Sequence, residues 1–394
     1  MIVFINQACG PLCKDMSLAF ADSFDRVELY TGSISVPMKD LPPNLKIRHS
    51  IKYNRKNSVQ RAFSWVIFTL QCFARLMFSK SRNRVWVLVS NPPLVPLLLG
   101  WLAELKGIPY ILVVYDLYPD VLVQTKVVRS DSQLIKVWAG FNRKMFERAT
   151  AIATLSEGMK ASVNAYLKQS DSVQVIYNWA DNTHIKPILP EQNNLITANN
   201  WLGKFIILYS GNLGATHDLE SLLEAACLLK DERDILFVIA GEGSKKEGLM
   251  ALAAKSNLIN LEFIPYQSHE NFPSLLAAAD IAVIALGNGA EGLSVPSKTY
   301  TALASGACLL GISPDDSELS ILIKKYQAGR NFIPGAASAI AEFILTSKYE
   351  PEALIAFKRN ALHAARDFTP ANTIQYTKMI INSLATPRQI TSRE

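Results

Sequence analysis

FIILYSGNLG, from Phe205 to Gly214, sets the fold: an apolar run enters Gly211-Asn212-Leu213-Gly214, and Asp218 then opens a helical pattern. A short, continuous apolar run that meets glycines and then a helix reads as a buried parallel strand entering its crossover. Glycines at such a turn let backbone N–H groups approach an anion, and the helix start adds a favourable dipole. The same turn also serves simply to join a strand to a helix.

Working outward, the pattern recurs. Downstream apolar runs at 235–240, 261–265, 281–285 and 307–312 alternate with helical stretches near 217–230, 244–257, 270–279, 297–305 and 334–347. Upstream runs at 2–6, 26–30, 85–90, 109–114, 150–154 and 173–177 are rich in Val, Ile and Tyr, with amphipathic stretches such as 12–24, 94–106 and 132–149 between them. Alternation of this kind predicts βαβ units and parallel sheets. Two sets imply two doubly wound Rossmann-like domains, 1–182 and 183–366, with a linker over 181–200 and a C-terminal helix within 367–394 packing back on the first domain. Open α/β sheets bind ligands at the carboxyl ends of their strands, so the expected site is a cleft between the two sheets.

Composition narrows the class. With 394 residues, 49% of them hydrophobic and 19% charged, the chain is neither disordered nor collagen-like, and it is long enough for two cores. Five cysteines without a C-x-x-C pair argue against a disulfide framework or a structural zinc site. MIVFI at the start reads as a first strand rather than a signal peptide. The net charge of +6 is unevenly spread: between Leu41 and Ala103 there are ten Lys or Arg and no Asp or Glu. One basic, apolar face points to an anionic partner.

The segment Glu291-Gly292-Leu293-Ser294-Val295-Pro296-Ser297-Lys298-Thr299-Tyr300 follows the strand DIAVIAL. Pro296 suits a first helical turn, so the amides of 292–295 and the helix start can hold a phosphate, with Lys298 adding a full charge. Glu291 stands where it can meet sugar hydroxyls. The plain alternative is a capped helix with a solvated Glu and Lys. Gly241 and Gly243 follow a second buried strand, but neither glycine loop is G-x-G-x-x-G, so a nicotinamide cofactor is not favoured.

Taken together, the 211–214 loop, Gly241-Glu242-Gly243 and EGLSVPSKTYTALASG resemble the donor domain of retaining glycosyltransferases of family 4, which have the GT-B fold. SNPP (90–93), YDLYPD (115–120), LSEGM (155–159) and YNWAD (177–181) resemble the bacterial surface-polysaccharide branch, with its colanic-acid and O-antigen fucosyl- or N-acetylfucosaminyl-type transferases. The resemblance implies that Glu291 contacts the donor sugar, and that Leu293, Ser294, Val295, Ser297 and Lys298 receive the donor diphosphate, with Gly211, Asn212 and Gly214 on its other side. It places the nucleoside near Gly241, Gly243, Pro265, Tyr266 and Thr301. On the acceptor side it marks Gly10, Asp116 and Asp120, with Glu291, Lys298 and Asp116 as the catalytic set. Thr301 stands where relatives carry a ribose-binding Glu, Asn212 and His217 where many carry Arg and Lys, and Gln7-Ala8-Cys9-Gly10 replaces a richer glycine loop.

No Asp-x-Asp cluster stands where a donor metal would need it, so neither a metal nor another cofactor is expected. His49, His184 and His363 read as isolated structural residues. The expected function is transfer of a sugar from a nucleoside-diphosphate sugar, with UDP as the base carrier implied by the resemblance, to a polyprenyl-diphosphate-linked or oligosaccharide acceptor in envelope polysaccharide synthesis. A sugar-nucleotide epimerase and a catalytically silent scaffold are the alternatives; nucleic acid is not an expected partner. No stretch reads as a spanning helix. Between Val59 and Phe78 a helical apolar stripe is flanked by Arg55, Lys56 and Arg61 at one end and Lys80, Arg82 and Arg84 at the other. This predicts a cytoplasmic protein held through 52–84 on the anionic inner face of the membrane, or else a helix buried against the first sheet.

Overall fold

The computed structural model describes residues 1–54, 58–79, 83–124, 128–167, 172–214, 216–286 and 296–385. These fold as two compact units, one from 1–178 and 370–385, the other from 179–286 and 296–369.

In the first unit the strands are β1 (Ile2–Ile5), β2 (Ala8–Cys9), β3 (Val27–Thr31), β4 (Ser33–Ile34), β5 (Leu45–His49), β6 (Val85–Val89), β7 (Tyr110–Val114), β8 (Ala151–Thr154) and β9 (Val173–Val175). Seven of them form a parallel sheet in the order β5-β3-β1-β6-β7-β8-β9, while β2 and β4 make a small ladder of their own. Ile2 pairs with Val27 on one side and with Val85 on the other. The central strands β1, β6 and β7 are buried along their whole length, which is why they read as unbroken apolar runs. The helices are α1 (Pro11–Ser23), α2 (Ser58–Met77), α3 (Leu94–Leu105), α4 (Asp120–Gln124), α5 (Gln133–Arg148) and α6 (Glu157–Asn164).

The edge strand β5 escaped the sequence reading because Lys46 and Arg48 alternate with Leu45 and Ile47, so the run looks basic rather than apolar. The structure neutralises that edge. Arg48 and Arg26 each donate to Oε1 of the buried Glu28 on β3, both at 2.9 Å.

The second unit has β10 (Phe205–Ser210), β11 (Ile235–Ala240), β12 (Leu261–Ile264), β13 (Ile281–Ala285), β14 (Cys308–Ile312) and β15 (Gly329–Phe332), parallel throughout in the order β12-β11-β10-β13-β14-β15. Its helices are α7 (Asn194–Ala198), α8 (Glu220–Leu228), α9 (Lys246–Lys255), α10 (Phe272–Ala277), α11 (Lys298–Ser305), α12 (Glu318–Tyr326), α13 (Ala337–Tyr349) and α14 (Pro351–Ala365). The order of strands reverses at β10, which sits between β11 and β13. That is the switch point of a doubly wound sheet.

The stretch 181–200, read from sequence as a linker, is instead folded onto the second unit. Asn193 accepts from the amides of Leu195 and Ile196 to cap α7, and its Nδ2 donates to Ser274 O at 2.7 Å. A last helix, α15 (Thr373–Ala385), packs on α1 and β8 of the first unit. Among the described residues no helix is long and apolar enough to cross a membrane.

Candidate active site

In the second unit the site is built where β10 and β11 end. The two glycine loops are stapled together by their backbones: Gly211 N–H donates to Ala240 O (2.8 Å), Leu213 N–H to Glu242 O (2.9 Å) and Lys245 N–H to Leu213 O (3.0 Å). Gly241, at φ +154°, could carry no side chain here, because a Cβ would overlap the carbonyl of Gly211. The glycines read from sequence as anion and base loops thus also have a packing duty to each other.

Lys298 opens α11 and turns back to this joint. Its Nζ donates to Tyr209 Oη at 2.8 Å and lies 4.2 Å from the centre of the same ring. Tyr209 Oη in turn donates to the carbonyl of Asn212 at 2.6 Å. Gly211 makes room for this arrangement, since a Cβ there would collide with the end of the Lys298 chain. Burial brings the Lys298 amine down to about 7. Burial, helped by the nearby Lys298 and Lys245, holds His217 down to about 4, so its imidazole is neutral at ordinary pH. Nδ1 of His217 is buried with no hydrogen-bond partner among the described residues. Lys245 is neutralised locally: it donates to His217 O and to Glu220 Oε2, both at 2.9 Å. A largely dry cationic side chain beside two close-packed amide loops is a place for a compact, strongly charged anion.

The other donor-side residues take varied places. Ser297 is exposed and its hydroxyl does not cap α11. Thr301 uses its hydroxyl on the helix itself, donating to Lys298 O at 2.9 Å. Tyr266 is 52% exposed and close enough to Tyr209 to affect it, and the carbonyl of Pro265 accepts from Gln267 Nε2. Gly214 and Asn212 lie side by side, with Asn212 exposed. Glu291, Leu293, Ser294 and Val295 lie outside the described residues. Tyr209 was missed by the sequence reading. Its one signal was its place as the penultimate residue of the strand that feeds the glycine turn.

In the first unit, Asp116 stands at the end of β7 between two cis peptides, Asn91–Pro92 and Tyr118–Pro119. Its amide donates to Ser90 Oγ at 3.1 Å, and Asn91 Nδ2 reaches its Oδ2 at 3.5 Å. The cavity beside it, lined by Ser90, Asp116 and Asn142 among apolar side chains, measures ≈ 20 Å³, room for about one water rather than a sugar. Asp120 is engaged internally, accepting from Tyr166 Oη at 2.6 Å. Gly10 precedes α1 with φ −98°, and a Cβ there would find its nearest neighbour 3.7 Å away. His184 is not isolated: its ring stacks on His269 with centroids 4.6 Å apart. Among the described residues no three His, Cys, Asp or Glu side chains gather as a metal site would need.

Residues 192–362, which contain the whole joint of Lys298 with the two glycine loops, match the family described as Glycosyl transferases group 1. The chain is a glycosyltransferase. It is 26% identical over 294 residues to the probable glycosyltransferase WbjE of Pseudomonas aeruginosa, covering 74% of this chain and 72% of that one. It is 27% identical over 268 residues to the putative colanic acid biosynthesis glycosyl transferase WcaI of Escherichia coli, covering 66% of this chain and 62% of that one. Among solved structures, HepE of Anabaena in complex with UDP-glucose superposes with a TM-score of 0.72 at 13% identity, over 97% of this chain and 99% of that one. The glycosyltransferase has the GT-B fold, as its motifs implied.

Proposed function

We propose that the glycosyltransferase is a retaining enzyme of family 4 that moves a sugar from a UDP-sugar to a polyprenyl-diphosphate-linked glycan during surface-polysaccharide synthesis. The observation that carries this reading is the parked Lys298: a poorly solvated amine at a helix start, against two amide loops, suits the diphosphate of a departing nucleotide. Preorganised donors aimed at developing charge are the largest single source of rate in such transfers. The polysaccharide setting is supported by the names of WbjE and WcaI, and the UDP carrier by the HepE complex.

In this scheme the bond between the sugar's anomeric carbon and the diphosphate oxygen breaks as an acceptor hydroxyl bonds to that carbon on the same face. The hydroxyl proton passes to the leaving phosphate oxygen. No side-chain nucleophile is required, so Glu291 and Asp116 serve as orienting or electrostatic groups. Lys298, Ser297 and the amides of 293–295 hold the diphosphate, Gly211, Asn212 and Gly214 line its other side, and Gly241, Gly243, Pro265, Tyr266 and Thr301 hold the nucleoside. Gly10 and Asp120 shape the acceptor side.

The test is a panel of sugar nucleotides, fucosyl- and N-acetylfucosaminyl-type donors included, followed by nucleoside diphosphate release and by anomeric analysis of the product. Release from a UDP-sugar, with the anomer retained on a lipid-linked acceptor, is expected. A new sugar nucleotide without release would mean an epimerase. An inverted anomer would remove the front-face scheme. No turnover with any donor would mean a silent scaffold.

A further inference from the structure

Helix α2 carries apolar residues on its solvent side as well as on its buried side. Its inner side takes in three polar side chains with partners: Ser64 Oγ donates to Arg61 O, Thr69 Oγ1 to Trp65 O, and Gln71 Oε1 accepts from Ile51 N–H. Phe68, Cys72 and Leu76 complete that buried side. Outward it shows Val59, Phe63, Val66 and Leu70, and Phe78 follows just beyond its end; Phe63 is 62% exposed. A row of apolar residues at helical spacing toward solvent, on a helix that already buries Phe68, Cys72 and Leu76, is more than a surface helix needs to cover a sheet.

The face does not stop at α2. Phe73 stacks on Trp101 of the neighbouring α3, ring centroids 6.3 Å apart and nearly parallel, and Trp101 is itself 54% exposed, with Leu105 one turn on. Next to α3, the helix α5 exposes Leu134, Val137 and Phe141, an i, i+3, i+7 stripe. The same helices carry Lys136, Arg143 and Lys144 on α5 and Arg61 on α2, all exposed and none with an acidic partner among the described residues, whereas Arg75 of α2 turns to the end of β5 and donates to His49 O and Ser50 Oγ. Glu104 of α3 is already paired with Arg148.

We infer that α2, α3 and α5 form one docking face for an anionic lipid bilayer, with α5 as full a part of it as α2. Charge decides the occupant. Cores of protein interfaces are depleted of charge, whereas here unpaired cations alternate with Trp, Phe and Leu, as on helices that lie in a lipid headgroup layer. Long Lys and Arg stems let the charge reach phosphates while the apolar stripe enters the acyl boundary. The purpose, though not the surface, rests on the reading of a lipid-linked acceptor. The sequence stripe over 52–84 named only part of this face. It also counted Arg84, which is buried, and Arg55, Lys56, Lys80 and Arg82, which lie outside the described residues.

Vesicle flotation of the full chain tests it. Binding is expected to phosphatidylglycerol-containing vesicles and not to pure phosphatidylcholine, and it should fall with added salt. Lys136→Gln and Lys144→Gln should each lower the binding constant about fivefold, the effect of losing one cation near the surface. A triple change, L134Q with V137Q and F141Q, should abolish flotation while the melting temperature and the release of nucleoside diphosphate with a soluble acceptor are unchanged. Equal binding to neutral vesicles, a triple variant that floats like the native chain, or a concentration-dependent dimer broken by the same triple change would overturn the inference. Flotation without any donor turnover would sink the enzymatic reading and leave the docking face standing.

Discussion

The Nζ of Lys298 sits 2.8 Å from Oη of Tyr209, and the same phenol donates to the carbonyl of Asn212. One hydroxyl therefore ties the start of α11 to the glycine turn after β10, two segments far apart in sequence. Because Tyr209 is buried in the strand, it fixes where the amine waits. Replacing it by Phe keeps the ring but leaves a buried carbonyl and amine without their partner, a loss of about 1–3 kcal/mol. Y209F should lower the melting temperature and raise the donor KM more than it lowers kcat. A variant whose KM equals that of the native enzyme would show that the phenol has no part in positioning Lys298.

Removing the amine should strike the chemistry. One lost donor to a charged leaving group typically costs about 2.7–4 kcal/mol of barrier, so K298A should lose roughly two to three orders of magnitude in kcat. Near-native release of nucleoside diphosphate by a folded K298A would refute the diphosphate assignment.

The acidity of Lys298 predicts a pH dependence with a definite sign. Burial lowers the amine from 10.5 to about 7, so between pH 7 and 10.5 the unfolded chain binds the extra proton and stability rises with pH; below 7 the cost of the buried cation is present in full. K298M should therefore melt above the native protein at pH 6, with the gap shrinking toward pH 10. Donor affinity should run the other way, weakening as pH climbs through 7 and the cation is lost. A donor KM that is flat from pH 6 to 9 would contradict it.

His217 gives the acid side. Its folded value of about 4 lies below the ordinary 6.5, so the stability it protects is present above 6.5 and lost as pH falls toward 4. H217Q should resist acid unfolding better than the native chain in that window. Circular dichroism melts at pH 4.5 and 7 measure this, and an unchanged acid transition would show that His217 does not govern it.

Gly241 and Gly10 should respond differently to the same methyl group. At Gly241 the backbone is left-handed and a Cβ would overlap Gly211 O, so G241A must push apart the two loops that Lys298 faces. A strained conformation costs of order 1–3 kcal/mol before the clash is counted. At Gly10 neither φ nor space objects, and G10A should be neutral within about 0.5 kcal/mol. Equal melting temperatures for the two variants would show that loop stapling is unimportant.

Much of this was legible in the sequence, for a physical reason. Strands buried on both faces, such as FIILYS and VWVLV, must be continuously apolar, and helices that cover them must repeat every three to four residues, so the doubly wound pattern is written locally. The glycine turns and the lysine at a helix start were legible for the same reason, being demands of backbone and charge at single positions. What only the tertiary structure decided depends on residues distant in the chain. The edge strand β5 looked basic until Glu28 of a neighbouring strand was seen to neutralise Arg48. Tyr209 looked like one more core aromatic until Lys298 was found on its hydroxyl. The outward turn of the α2 stripe, with Ser64 and Gln71 bonded inside, could not be chosen from periodicity, because an amphipathic pattern gives the angle between two faces and only packing says which one meets the sheet.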